Sequence, residues 1–357
     1  MTVITISRQA FTASYSLLAC ATLLLLGFSA DAFAHGVTFK YQDTQPANSA
    51  FVTNFVQPWS RKIYDESGGR INLLAAPRDA ANAQTDLFQA VQDRSADIVW
   101  IDLQQSSASF PRFSVFALAL EGTSSEGSSQ ALWWWVDMND LAFREFKEMR
   151  ILAASRHDAP VFHMRDKSVS SLSDLKDARI AIPNSDAGQF LTAIGAKPVV
   201  TSSSAIGTAL AESSVDGVLL SWSSLAALGL EELVTTHAEA PANAPWPYAE
   251  VSVLLMNPSA YRGLIDDLKQ VMRANSGSDI SAWIGKTFDQ NANAARERAT
   301  RRGDTVSALP DDDLDKWREA ASAAVNEGVG NLDAKGLKGE RMVTKARALI
   351  AEHDPAN

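Results

Sequence analysis

The chain has 357 residues, 46% of them apolar and 21% charged, with 32 Lys and Arg against 42 Asp and Glu for a net charge of −10. A chain of this length and composition buries enough surface for two domains and is too apolar to be disordered. Its basic residues are scattered, which argues against nucleic acid or an anionic membrane surface as partner, although one or two buried cations suffice to hold a small anion.

The N-terminus carries Arg8, the apolar run SYSLLACATLLLLGFSA over 14–30, and then Ala32-Phe33-Ala34. This three-part layout predicts a signal peptide over 1–34, cut after Ala34, and hence a periplasmic protein. The run is shorter than the roughly 20 residues that span a bilayer and has no stop-transfer flank, so an anchor is the weaker reading. Lipidation of Cys20 is weaker still, because Leu18 is bulky and the apolar run continues past the cysteine. Cys20 is the only cysteine, so the mature chain has no disulfide, no thiolate nucleophile and no cysteine metal site.

From residue 37 strands and helices alternate. VTFKYQ (37–42) reads as a strand, Asn48–Asp65 as a helix stopped by Gly68-Gly69, INLLAA (71–76) as a strand, Ala83–Gln92 as a helix and DIVWI (97–101) as a buried strand. That order predicts a mostly parallel sheet covered by helices. A second unit follows, with strands ILAAS (151–155), VFHMR (161–165), RIAIP (179–183), PVV (198–200) and VLLSW (218–222), and a helix over Gly188–Ile194. VSVLLMN (251–257) is one more strand. Beyond it the chain reads as helical, over Pro258–Asn275, Asp279–Arg302 and Asp312–Gly328.

Motifs for chemistry are nearly absent. The five histidines have no paired metal-ligand spacing, and neither GxSxG, SxxK, GxGxxG nor a Walker loop occurs, so no cofactor, metal or catalysis is expected. His157 and His163 flank a turn and read as polar residues near a lobe edge. Nine tryptophans are more informative. Trp133-Trp134-Trp135 cannot share one helix face, so at least one is expected to be exposed or at a lobe interface, the alternative being that they pack against the helical tail. Trp100 and Trp222 end strands, where open α/β sheets present ligands, though plain core packing is an equal reading.

Residues 171–199, SLSDLKDARIAIPNSDAGQFLTAIGAKPV, and 209–222, ALAESSVDGVLLSW, resemble the DctP-type solute receptors of tripartite ATP-independent periplasmic (TRAP) transporters. Asp174-Leu175-Lys176, Pro183, Gly195-Ala196, Pro198 and Val215-Asp216-Gly217 match the family pattern in order and spacing. SGGRINL (67–73), ADIVW (96–100), FHMRDKSV (162–169), ELVTTH (232–237) and NSGSDISAWIGKTFDQ (275–290) add to the likeness. The resemblance implies an α/β periplasmic-binding-protein fold of two lobes, with hinge strands, a long spanning helix and a helical C-terminal tail. Lobe I would take 36–157 and 247–287, lobe II 158–246, and the tail 288–357 would pack across both. Such a protein is a monomer that closes on a small organic ligand and delivers it to the small and large integral-membrane subunits of a transporter, without altering it.

The family's carboxylate-pairing arginine is replaced here by Ala181. Arg179 lies two residues earlier on the same face and is one candidate to replace it, although that family position generally lies off the ligand. Three family glycines are also changed, to Ser95, Asp177 and Ser214. A simple dicarboxylate is therefore a poor expectation. The pocket implied draws on Trp100, Arg165, Ala181, Ser203, Trp222, Trp246 and Tyr248, and would take an amine or quaternary ammonium by cation–π contact, or an aromatic acid met by Arg165 or Arg112. Rival readings are a receptor for a sensor kinase, an interaction protein that has lost its ligand, and an enzyme on the same fold, the last disfavoured by the missing catalytic motifs.

Overall fold

The computed structural model describes residues 36–75, 86–103 and 109–354. The expected leader 1–34 and the start of the helix expected from Ala83 lie outside them.

The first lobe is built from β1 (Val37–Gln42), α1 (Gln57–Glu66), β2 (Ile71–Ala75), α2 (Leu87–Asp93), β3 (Ile98–Asp102), the short α3 (Val115–Leu118), α4 (Ser125–Met138), the short α5 (Leu141–Arg144) and β4 (Arg150–Arg156). The chain then crosses to the second lobe, with β5 (Pro160–Met164), β6 (Arg179–Ile182), α6 (Gly188–Ala193), β7 (Lys197–Val200), α7 (Ser203–Ala211), β8 (Gly217–Ser221), α8 (Trp222–Ala227) and β9 (Thr236–Glu239). It returns as β10 (Val251–Met256), α9 (Pro258–Arg262) and α10 (Asp266–Ala274), and continues through α11 (Ser278–Arg302), β11 (Thr305–Ala308), α12 (Leu314–Ala334) and α13 (Gly339–His353).

Two sheets result, ordered β2-β1-β3-β10-β4 and β11-β9-β5-β8-β6-β7. Both are mostly parallel, as expected, with one reversed strand each: β10 runs antiparallel to β3 and β4 in the first, and β5 antiparallel to β8 and β9 in the second. The crossings cause this, since a strand that enters a sheet directly from the other lobe meets its neighbours head to tail. Beyond β10 the chain is almost wholly helical, the exception being Thr305–Ala308, which pairs with β9. The helix expected over 258–275 is two helices, parted at Gly263–Ile265.

Both faces of the first sheet are buried along β3, β10 and β4, while β1 and β2 turn one face outward. Along β3, Ile98 and Trp100 pack with Phe39, Trp59, Ile63 and Phe288, while Val99 and Ile101 pack on the opposite face with Ala131, Leu132 and Trp135, as the two-residue period of a strand requires. Helix α11 has 25 residues, and at 1.5 Å per residue it is roughly 37 Å long, enough to serve both lobes. Its Ile280, Ile284 and Phe288 sit in the first lobe's core, and its Ala295 and Ala299 in the second lobe's core with Val218, Leu220 and Trp222. Gly285 is required by contact: a Cβ there would stand 2.1 Å from the main-chain oxygen of Ser125 at the start of α4. Gly303 ends the helix at φ 95°, the left-handed conformation that glycine adopts without strain.

The tail spans the same two bodies. Trp317 of α12 meets Phe190 edge-on at 4.9 Å and donates from Nε1 to the Pro245 oxygen at 2.6 Å. At the end of α13, Asp354 accepts from the main-chain N–H groups of Thr123 and Ser124 at 2.6 and 2.9 Å. The three tryptophans of α4 diverge as their spacing demands: Trp135 is buried, and the exposed Trp134 stacks on His353 at 6.1 Å.

Candidate ligand-binding site at the lobe junction

The lobes are joined by α11 and by two extended crossings, Arg156-His157-Asp158 outward and Trp246–Glu250 back, tied together where the His157 N–H donates to the Glu250 oxygen at 2.9 Å. The carboxyl end of β3 and the start of α8 reach the same place, which gathers side chains from distant parts of the sequence.

His157 is buried there. Its Nε2 lies 2.7 Å from Ser252 Oγ and 3.4 Å from Asp102 Oδ1, its Nδ1 lies 3.1 Å from Glu250 Oε2, and its ring stacks on Phe288 at 4.0 Å. Burial opposes a charge on this ring, but the bonds and fields of Asp102 and Glu250 prevail and hold its pKa up at about 10. Burial likewise works to raise Asp102, and the contacts with His157 and Ser252 reverse it, leaving that carboxyl below its usual range. Glu250 also accepts from Ser224 Oγ at 2.7 Å and lies 3.1 Å from the Tyr248 hydroxyl. Asp158 accepts from the Ser223 hydroxyl, and burial pushes its pKa up to about 6. The lobe II helix α8 is thus tied by Ser223 and Ser224 to one carboxylate on each crossing. A groove of ≈ 710 Å³ opens at the carboxyl ends of β1 and β2, lined in part by Tyr41, Asp43, Val56 and Leu73. Burial, then the charge of Asp43 and, more weakly, of Asp102, raise the pKa of the Tyr41 hydroxyl.

Of the aromatic residues expected at the site, Trp246 and Tyr248 lie on the returning crossing, while Trp100 packs in the core of lobe I and the Trp222 ring in that of lobe II, 4.8 Å from His163 and 4.4 Å from His237. Tyr248 bonds Glu250 and the Leu219 oxygen, each at 3.1 Å. The Trp246 ring carries the Arg156 guanidinium at 4.1 Å. Trp222 opens α8, where it was expected to end a strand, and donates from Nε1 to Glu239 at 3.1 Å. Trp100 stands one layer behind, against Phe51 at 4.7 Å and Phe288 at 6.3 Å. Ser203 is the first, half-buried residue of α7.

The cations are placed elsewhere. Arg165 follows β5 at the end away from the junction, roughly 16 Å from Pro160 at 3.3 Å per residue, and lies 3.5 Å from Asp166. Arg179 is bound to Asp216 at 2.6 Å and Arg112 lies 3.6 Å from Glu145. Ala181, fully buried, packs among Val161, Val218 and Trp222.

Neither histidine is the lobe-edge residue the sequence suggested. The segment between them is a crossing, not a surface turn, so His157 lies between lobes. His163 lies mid-sheet, its Nδ1 2.7 Å from His237 Nδ1 and its Nε2 donating to the Leu220 oxygen at 3.1 Å, and burial lowers its pKa. Asp102, Asp158, Ser223, Glu250 and Arg156 were missed. The available signal was charged residues placed directly against apolar strands, as in SRHDAP (155–160) and AEVSV (249–253).

Among the described residues no His, Cys, Asp or Glu group is arranged to hold a metal, and no helix is long and apolar enough to cross a membrane. Two α/β lobes on a shared helix, with a buried polar junction between them, have the architecture of the two-lobe periplasmic solute-binding proteins. The family model for DctP, bacterial extracellular solute-binding protein family 7, matches residues 43–330, and the chain belongs to that family.

A TRAP solute-binding protein from Rhodoferax ferrireducens T118, solved with copurified benzoate, is 31% identical and superposes with a TM-score of 0.82, over 89% of this chain and 98% of that one. A marine-metagenome TRAP protein described as specific for aromatic acid ligands, solved with 3-hydroxybenzoate, is 27% identical with a TM-score of 0.83, over 90% of this chain and 100% of that one. The outer membrane transporter protein TsaT of Comamonas testosteroni is 20% identical over 93% of this chain and 97% of its own. The protein is therefore a TRAP-type solute receptor of the extracytoplasmic space, a non-enzymatic family that works with TRAP membrane subunits.

Proposed function

We propose that this receptor binds an aromatic carboxylic acid and passes it unaltered to its transporter. The observation that carries the reading is the junction itself: the rings of Trp246 and Tyr248 stand on the returning crossing beside buried hydrogen-bonding groups, and Trp222 opens the α8 helix whose Ser223 and Ser224 bond both crossings. A flat ring sandwiched by such side chains gains from stacking as well as area, while an aliphatic dicarboxylate gains little and finds no arginine at position 181. The relatives solved with benzoate and 3-hydroxybenzoate support the same class. In this reading the leader is cut after Ala34, the mature protein acts as a periplasmic monomer, and its ligand site combines Trp222, Trp246 and Tyr248 with His157 and Glu250.

Calorimetry with benzoate, 3-hydroxybenzoate, phenylacetate, succinate and choline tests the proposal. Aromatic acids are expected to bind at least tenfold more tightly than the others. Preference for succinate or choline refutes the ligand class, and turnover of any bound acid refutes passive delivery.

A further inference from the structure

With Ala181 apolar and Arg112, Arg165 and Arg179 engaged by carboxylates, the ligand's own negative charge lacks an obvious partner. Among the described residues Arg156 is the only lysine or arginine that is fully buried. It ends β4 and leads into the outward crossing, while Trp246, the ring it covers, lies on the returning one, so the guanidinium sits between the two. Nη1 is used: it donates to the Glu121 oxygen and to Ser128 Oγ. The opposite edge is bare, since Nε and Nη2 are both buried and neither has a hydrogen-bond partner.

That edge is the one through which arginine grips a carboxylate with two parallel bonds. A buried guanidinium without a counter-ion is heavily penalised, and burial pulls the Arg156 pKa down to about 9. The fields of Glu121 and Asp354 offset this only in part, and the Asp354 oxygens are occupied by Thr123 and Ser124. The junction's other carboxylates are committed as well, Asp102 and Glu250 around His157 and Asp158 to Ser223. We propose that Arg156 is the receptor's carboxylate anchor: its Nε–Nη2 edge pairs with the ligand's carboxylate as the lobes close, replacing the arginine that position 181 lacks. This rests on the aromatic-acid reading. Trp246 below and the Glu121 and Ser128 bonds would hold the fork in place before the ligand arrives, so little ordering remains to be done on binding.

The test compares wild type with Arg156→Lys and Arg156→Met, using benzoate and its uncharged isostere benzamide, and reads both affinity and the melting temperature without ligand. A charge-assisted pair of this kind corresponds to about 10- to 100-fold in affinity. Benzoate binding is expected to fall by that factor in both variants, while benzamide binding changes less than about threefold. Ligand-free Arg156→Met is expected to melt at or above the wild-type temperature, because it removes an uncompensated buried charge. If wild type ignores benzoate but binds another acid, the acid and its amide replace the pair, and only the aromatic reading falls. Folded variants that keep wild-type affinity for the acid overturn the anchor. So does a ligand-free Arg156→Met that melts well below wild type or does not fold, since the guanidinium would then be a structural brace.

Discussion

Glu250→Gln isolates the charge at the lobe junction while keeping the side chain's shape. The carboxylate faces the His157 ring at 3.1 Å, accepts from Ser224 at 2.7 Å and lies 3.1 Å from Tyr248, all out of solvent. A glutamine oxygen can still accept one of those bonds, but the charge opposite His157 is gone. Breaking a buried pair costs about 3–5 kcal/mol, and Asp102 remains, so the expected loss near neutral pH is about 2–3 kcal/mol. The pH dependence separates this from a packing defect. The folded-state pKa of His157 is raised from 6.5 to about 10. Its contribution is therefore complete below pH 6.5 and drains away as pH rises toward 10. At about 1.4 kcal/mol per pH unit this amounts to roughly 5 kcal/mol for the wild type as an upper bound. In Glu250→Gln the decline should be about half as large and finish at lower pH. Urea unfolding at intervals from pH 6 to 10 measures both curves. Parallel curves for the two proteins would refute the charged-histidine account.

Other consequences are equally direct. Asp158, with its pKa raised to about 6 by burial, is stabilising when protonated and loses that contribution as pH climbs from its ordinary 3.8 through 6; Asp158→Asn, which can still accept from Ser223, should be more stable than wild type at pH 7.5 by about 1–2 kcal/mol in urea unfolding. Gly285→Ala drives a methyl group into the Ser125 carbonyl, so α4 and α11 must separate, with a loss of about 2 kcal/mol or more in thermal melts. Ala181→Arg puts a charge among Val161, Val218 and Trp222; it should destabilise the protein by at least about 3 kcal/mol and abolish binding in calorimetry, and a stable variant with unchanged affinity would place position 181 outside the pocket and its packing.

The strands were legible because burial on both faces leaves an unbroken apolar run, as in VSVLLM and IVWI, and such runs need no knowledge of partners. The parallel direction of most strands was legible from the strand–helix alternation, but the one reversed strand in each sheet was not. Whether β10 runs with or against β3 depends on which lobe the chain has just left, and no local residue records that. The site divides in the same way. Trp222, Trp246 and Tyr248 stand out by size alone, and size places them near a cavity or core whatever the register. His157, Asp102 and Glu250 act only as a set, brought together from positions 157, 102 and 250, and each reads singly as an ordinary polar residue at a strand end. Arg165 misled for a related reason: it follows an apolar strand, but β5 is antiparallel to β8, so its carboxyl end points away from the junction.

The distribution of side chains along α11 bears on how the helix is held between the lobes. The half in lobe I is keyed by Ile280, Ile284 and Phe288 and by the close approach of Gly285 to Ser125, whereas the half in lobe II presents Ala295 and Ala299. Bulky interdigitating residues lock a helix to its sheet, while alanines leave a smoother surface on which small sliding displacements cost little. Lobe II is also attached to the crossings at the start of α8, through Ser223 to Asp158 and Ser224 to Glu250. These directional bonds resist separation more than rotation. The lobe II half of α11 is held by ion pairs as well, Arg296 to Glu239 at 2.7 Å and Arg298 to Glu231 at 3.0 Å, so the helix is packed into lobe I and charge-paired to lobe II. A ligand pairing with Arg156 on the lobe I side and stacking on Trp222 on the lobe II side would favour the closed arrangement over the open one by whatever its second contact adds, and that difference is all a receptor of this kind can use to drive closure.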